Sequence, residues 1–246
     1  GFVGRAVVTP LHGSDWRINL GVHGSYVDRP ADTAGPGTNG VIPVSGFGVR
    51  LRDTPELRVD GTQFIDTGTI PAKSASTVGV EGAAQKANIF VQGEYESINV
   101  SRSDKISSPT FSGWYVEGSW LLTGESRLYN PSEAAFDGPV VSHPFSLSNG
   151  GLGAWELVGR YSDTDLNFDS GSLGSAPKAD AIRGGEQQVW SVGVNWYLNQ
   201  TVRLMLDVDQ VHINRLSPSA SAYSTPAGAQ IGQNFTAVAI RTQAAF

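Results

Sequence analysis

The residues best suited to proton transfer or metal binding are four histidines, His12, His23, His143 and His212, and they lie far apart. No two stand at the short spacing that lets one helix or hairpin grip an ion, so no metal site is expected. There is no cysteine, which removes thiolate ligands, disulfides and cysteine nucleophiles. His212 with Ser101 or Ser191 could be written as base and nucleophile at the rim of a barrel enzyme, but nothing in their spacing requires it. The carboxylate pairs Glu94/Glu96 and Asp207/Asp209 could do acid–base work. Each pair lies along one face of a strand and reads better as charge on a wet wall. No catalytic residue and no cofactor is expected. A nucleic-acid partner is not expected either, because phosphate backbones need a basic stripe, and this 246-residue chain carries a formal charge of −6 and only four lysines.

The elements that must position these groups are strands. The chain holds 30 Gly and 13 Pro, too many turn-formers for a helical bundle. Period two is unusually clean: Trp16, Ile18, Leu20 and Val22 alternate with Arg17, Asn19, Gly21 and His23, and the same holds at 190–197 and 202–209, which Asn199-Gln200 joins as a tight turn. Eleven strands are expected, at 2–9, 16–27, 45–52, 56–66, 74–85, 88–101, 110–122, 153–167, 186–198, 201–213 and 233–246. Short connections alternate with long Gly/Ser/Pro/Asp-rich ones, the asymmetry of an outer-membrane barrel. Residues 123–152 break the rule by being long on the short-turn side, so either two strands are hidden there or the segment folds into the lumen.

No run of 18 apolar residues encodes a spanning helix, which leaves a membrane barrel open. Charges sit on the polar parity, as they would in a porin lumen or on the wet face of a soluble β-sandwich. Aromatic spacing favours the barrel: Trp16 and Tyr26 are ten apart on the apolar face, enough to span a lipid band of about 25 Å once tilted. Trp114/Trp120, Trp155/Tyr161 and Trp190/Trp196 are six apart, and one member of each pair is expected inside the band. The last strand ends on Phe246, which fits an assembly signal like those of outer-membrane proteins.

At Gly113-Trp114-Tyr115-Val116-Glu117-Gly118-Ser119-Trp120, Gly153 to Ser162, Gly184 through Met205, and the closing strand, the sequence resembles the phosphate-selective porin O and P family over roughly residues 45–246. That resemblance implies an all-β transmembrane antiparallel up-and-down barrel of the bacterial outer membrane. The chain would be a single β-barrel domain over 1–246, a carboxy-terminal fragment of a 16-stranded porin lacking amino-terminal strands; the odd strand count and the absence of an amino-terminal signal point the same way. It implies a homotrimer in contact with outer-membrane lipid and lipopolysaccharide, conducting small anions such as phosphate. It also implies inward arginines that pass an anion from site to site, with Arg50, Arg52 and Arg58 in the matching segment and Arg17 and Lys73 as further pore-lining candidates. Guanidinium forks hold phosphate oxygens in bidentate pairs, and a row of them lets the anion exchange partners. The alternatives are a channel without phosphate preference, a barrel enzyme, and a soluble β-sandwich binding module.

Overall fold

The computed structural model describes residues 1–32, 46–56, 61–102, 107–218 and 225–245. In chain order the strands are β1 (Phe2–His12), β2 (Trp16–Asp28), the two-residue β3 (Gly48–Val49), β4 (Arg52–Asp53) and β5 (Ile65–Asp66), then β6 (Ile70–Lys86), β7 (Ile89–Arg102) and β8 (Thr110–Leu121). A short hairpin of β9 (Arg127–Asn130) and β10 (Ala135–Pro139) follows, and then β11 (Ala154–Phe168), β12 (Ile182–Tyr197), β13 (Val202–Asn214) and β14 (Asn234–Ala244). Nine long strands form one antiparallel meander in the order β1-β2-β6-β7-β8-β11-β12-β13-β14, and β3 adds to β6. Among the described residues β1 and β14 each pair on one side only.

Because side chains alternate across a strand, register decides what each face collects. One face gathers Ile89, Trp120, Leu157, Val194, Leu206 and Ile240, which stand opposite one another in sequence across six neighbouring strands. These side chains are not packed against a second sheet: Val192 is 64% and Ile240 81% exposed. An apolar face left open over nine strands is what lipid requires and water penalises. The other face carries Gln92, Glu117, Arg160, Ser191 and Asp209 in register.

The aromatics fall into two rows on the apolar face. Trp114, Tyr161 and Trp190 touch across three strands with ring centroids 5.1 and 4.4 Å apart. Towards the short-turn rim, Trp155 and Trp196 stack at 5.0 Å. The rows are six residues apart along each strand, about 15 Å once tilted, so they lie closer together than the roughly 25 Å height of a lipid-facing band and one of them falls within it.

Two of the eleven expected strands are corrected. Segments 45–52 and 56–66 form no wall-length strand: their described residues give only β3, β4 and β5, within the connection from β2 to β6, and of these only the two residues of β3 pair with the wall. Pro55 and the left-handed backbone of Glu56, at φ 54°, break the extended chain there. Period two reports two environments without saying which, and here Leu51 and Ile65 alternate against the polar face's own apolar patch. That patch, formed by residues such as Ile65, Val100, Phe111, Val189 and Val211, is the main core.

Of residues 123–152, the part up to Val141 contains the β9–β10 hairpin and lies against the polar face, so two short strands are indeed hidden there, though apart from the wall. Tyr129 Oη is 3.3 Å from Thr9 Oγ1 on β1, while Gln200 Nε2, at the β12–β13 turn, donates to the Pro139 carbonyl at 2.9 Å. Six strand spacings separate β1 from β12, about 29 Å if the sheet were flat. A hairpin whose Tyr129 and Phe136 are paired is too short to bridge that gap, so the sheet curls around it.

Candidate functional site

The connection between β2 and β6 descends onto the polar face from the long-loop rim. Ile65 is fully buried and anchors it. Arg215, just beyond β13, donates to the carbonyls of Phe64 and Asp66, both at 2.9 Å, and burial lowers its pKa, with Asp66 opposing the shift. Glu56 reaches β11, accepting from Arg160 Nε at 3.1 Å and Ser162 Oγ at 2.7 Å. Arg160 also donates to Glu117 at 2.9 Å and lies 3.8 Å over the Tyr115 ring. These contacts hold the loop against the wall and leave a cavity of about 420 Å³ bordered by Arg52, Glu56, Glu94, Glu96, Tyr115 and Arg160.

The candidate cations differ in their surroundings. Arg50 is committed: Nε and Nη2 form a fork on Asp66 at 2.9 and 2.5 Å, and its backbone N–H donates to Asp32. The hydrogen bond from Arg50 is the main reason Asp66 titrates below the ordinary carboxylate range, and the same bond raises the arginine. Arg52 is exposed at the cavity, and its guanidinium makes no hydrogen bond or ion pair with another described residue. Arg58 lies outside the described residues. Arg17 is near the short-turn rim, 3.9 Å over the Tyr129 ring. Lys73 is exposed beside a bulge in β6 and does not border the cavity. The structure thus brings Arg52 together with Arg160, which was visible in the sequence only as one polar-parity charge among many. The wall beside them is mainly acidic, with Glu94, Glu96, Asp53 and Glu56 all at the cavity.

Other polar-face charges fix structure. Glu156 has no exposed surface and pairs with Arg127 of the hairpin at 2.5 Å while accepting from Asn195 and Tyr197. Arg5 pairs with Glu81 at 2.7 Å and donates to the Glu133 carbonyl. His23 lies across Gly79, where an added Cβ would come within 2.0 Å of its ring, and approaches Glu94 to 3.0 Å. His212, Ser101 and Ser191 make no constellation: His212 points from the exposed apolar parity, whereas Ser191 is on the opposite one. No group of three or more metal-ligating side chains occurs among the described residues.

The family model described as phosphate-selective porin O and P matches residues 1–246, including the first 44 residues, which the sequence resemblance left out. Porin O of Pseudomonas aeruginosa is 27% identical over 207 residues, covering 81% of this chain and 45% of Porin O. An uncharacterized protein of Caulobacter vibrioides is 28% identical over 203 residues, covering 80% of this chain and 34% of that protein. The chain therefore spans less than half the length of either relative.

Proposed function

The chain belongs to the phosphate-selective porin O and P family, and from that premise we propose that the whole protein is an outer-membrane channel that admits small anions, phosphate among them. The observation that carries the anion reading is Arg52: an exposed guanidinium on an inward-folded loop, beside Arg160. A guanidinium held in a confined passage lowers the cost of an entering anion, and its planar fork favours phosphate oxygens over chloride. Arg50 contributes positive charge whose near field Asp66 cancels. Catalysis has no part in this reading.

In the same proposal, strands outside this chain complete the wall into a closed barrel. The support is physical: a sheet edge in hydrocarbon leaves N–H and C=O groups without partners, at several kcal/mol each. Trimeric assembly and contact with lipopolysaccharide belong to the reading too, on the family's account.

A second reading, a channel without phosphate preference, is favoured by the carboxylates at the same cavity. Glu94, Glu96 and Asp53 line it together with Arg52, and a mixed lining suits solutes carrying both signs. The deciding measurement is single-channel conductance of the full-length protein in a planar bilayer. A reversal potential of anion sign in a salt gradient, with phosphate blocking chloride current, supports the first reading. A cation-sign potential without phosphate block supports the second.

A further inference from the structure

We propose that residues 143–153 form an interfacial anchor that inserts into the lipid leaflet at the short-turn rim. After β10 the chain returns along the polar face, where Val141 is buried against Leu121, Ala154 and Tyr197. It then crosses the rim. Phe145 packs edge-on against outward-facing Trp196 with centroids 5.1 Å apart, and Leu147 and Leu152 stand 92% and 67% exposed beside the lower aromatic row.

The excursion is rigid. Ser146 and Gly151 form a bridge, Phe145 N–H donates to the Leu198 carbonyl at 2.7 Å, and Gly153 N–H donates to that of His143 at 2.9 Å. Gly153 has φ +71°, and a Cβ there would meet the Tyr197 carbonyl at 2.3 Å, so the return path needs glycine.

Three observations name lipid as the occupant. Residues 138–153 contain no Asp, Glu, Lys or Arg, so nothing offers charge to a protein partner or a headgroup. The loop joins the lipid-facing side at Phe145, which packs on Trp196, and at Leu152, whose carbonyl both rim tryptophans reach. Trp155 and Trp196 both donate their indole N–H to the Leu152 carbonyl, at 3.2 and 2.8 Å. Interfacial tryptophans ordinarily give that bond to water or headgroups; here the loop takes it, and so occupies the depth of the headgroups. A loop at that depth without acidic or strongly basic side chains gains by burying Phe145, Leu147 and Leu152 at the acyl boundary, while Ser146, Ser148 and Asn149 stay at the headgroups.

The inference rests on the membrane placement of the sheet, and the test separates the two. This chain has no cysteine, so, with any cysteine elsewhere in the full-length protein replaced by serine, single nitroxide labels report cleanly from Leu147→Cys, Leu152→Cys, Val192→Cys on the belt, and Ala179→Cys in a long loop. The full-length protein is reconstituted into phosphatidylethanolamine/phosphatidylglycerol vesicles, and collisions with oxygen and with a water-soluble nickel complex are compared. Labels at Leu147 and Leu152 should favour oxygen over nickel, as at Val192, with the ratio reversed at Ala179. A nickel-favouring ratio at both leucines overturns the anchor, and so does shielding from both reagents, which would mean contact with a second protein copy. Nickel dominance at Val192 would overturn the membrane placement and the anchor with it.

Discussion

Arg52 and Arg50 stand two residues apart on the same parity, yet they do different work, and that difference is measurable. Arg52→Gln removes a cation that has no counter-charge among the described residues. A unit charge about 7 Å from a passing ion is worth on the order of 1 kcal/mol in a wet passage, so the anion/cation permeability ratio should fall by up to roughly fivefold. Reversal potentials should show a much smaller change for Arg241→Gln, which lies near the end of β14, and the difference should shrink at high salt. Arg50 instead couples the loop to pH. The folded carboxyl of Asp66 titrates below its unfolded value, so its stabilisation is full above about pH 4 and is lost as pH falls through the folded value. Acidification should therefore loosen the loop around Asp66, seen as increased current noise or proteolytic nicking, and Asp66→Asn should reduce that dependence to what the Glu56–Arg160 pair contributes. If the variant keeps all of it, the fork is not what holds the loop. The sequence offered Arg50 and Arg52 as equals because parity gives direction only. The partner of Arg50 lies 16 residues away, across a turn that no periodicity encodes.

Among the elements, the nine wall strands were legible because lipid on one side and polar groups on the other impose strict alternation. The two inward segments were only half legible. The 123–152 segment betrayed itself by its length on the wrong rim, whereas 45–66 alternated well enough to pass for wall. Its apolar residues do have a buried face to meet, but that face is supplied by Val100, Phe111, Val189 and Val211 on four other strands. Ile65→Ala should cost the loop's docking about 2–5 kcal/mol, as for other fully buried aliphatics. Thermal unfolding or nicking of the full-length protein would register it. The hairpin depends on charge. Arg127→Ala leaves a carboxylate with no exposed surface unpaired, at about 3–5 kcal/mol. Adding Glu156→Gln should recover part of the lost thermal stability; a double variant no more stable than the single would show that the pair contributes by packing alone.

At the scale of the whole molecule, the open belt predicts opposite tolerances on adjacent residues. Val192→Arg places a cation between the two aromatic rows and should cost about 2–4 kcal/mol of stability in bilayers, while Ser191→Arg on the polar face should be tolerated and shift selectivity. Equal costs would argue against lipid on the Val192 side. The order of the meander also bears on how the wall is built. Each long strand pairs with the long strand just before it, so assembly can proceed as a zipper whose steps run from reversals of 2 to 4 residues to loops of 13 and 19. Two steps are different in kind: β2 to β6 spans 41 intervening residues and β8 to β11 spans 32. Chain-closure entropy rises only with the logarithm of length, so the longer gap adds about 2 kcal/mol over a three-residue turn. That is a delay, not a barrier. Two pauses are therefore expected as the wall assembles, in each of which the inserted segment has yet to dock on the polar face. Folding kinetics should show these pauses shorten when either insertion is trimmed, with docking of the two insertions on the polar face coming last, after the strands that flank them have paired.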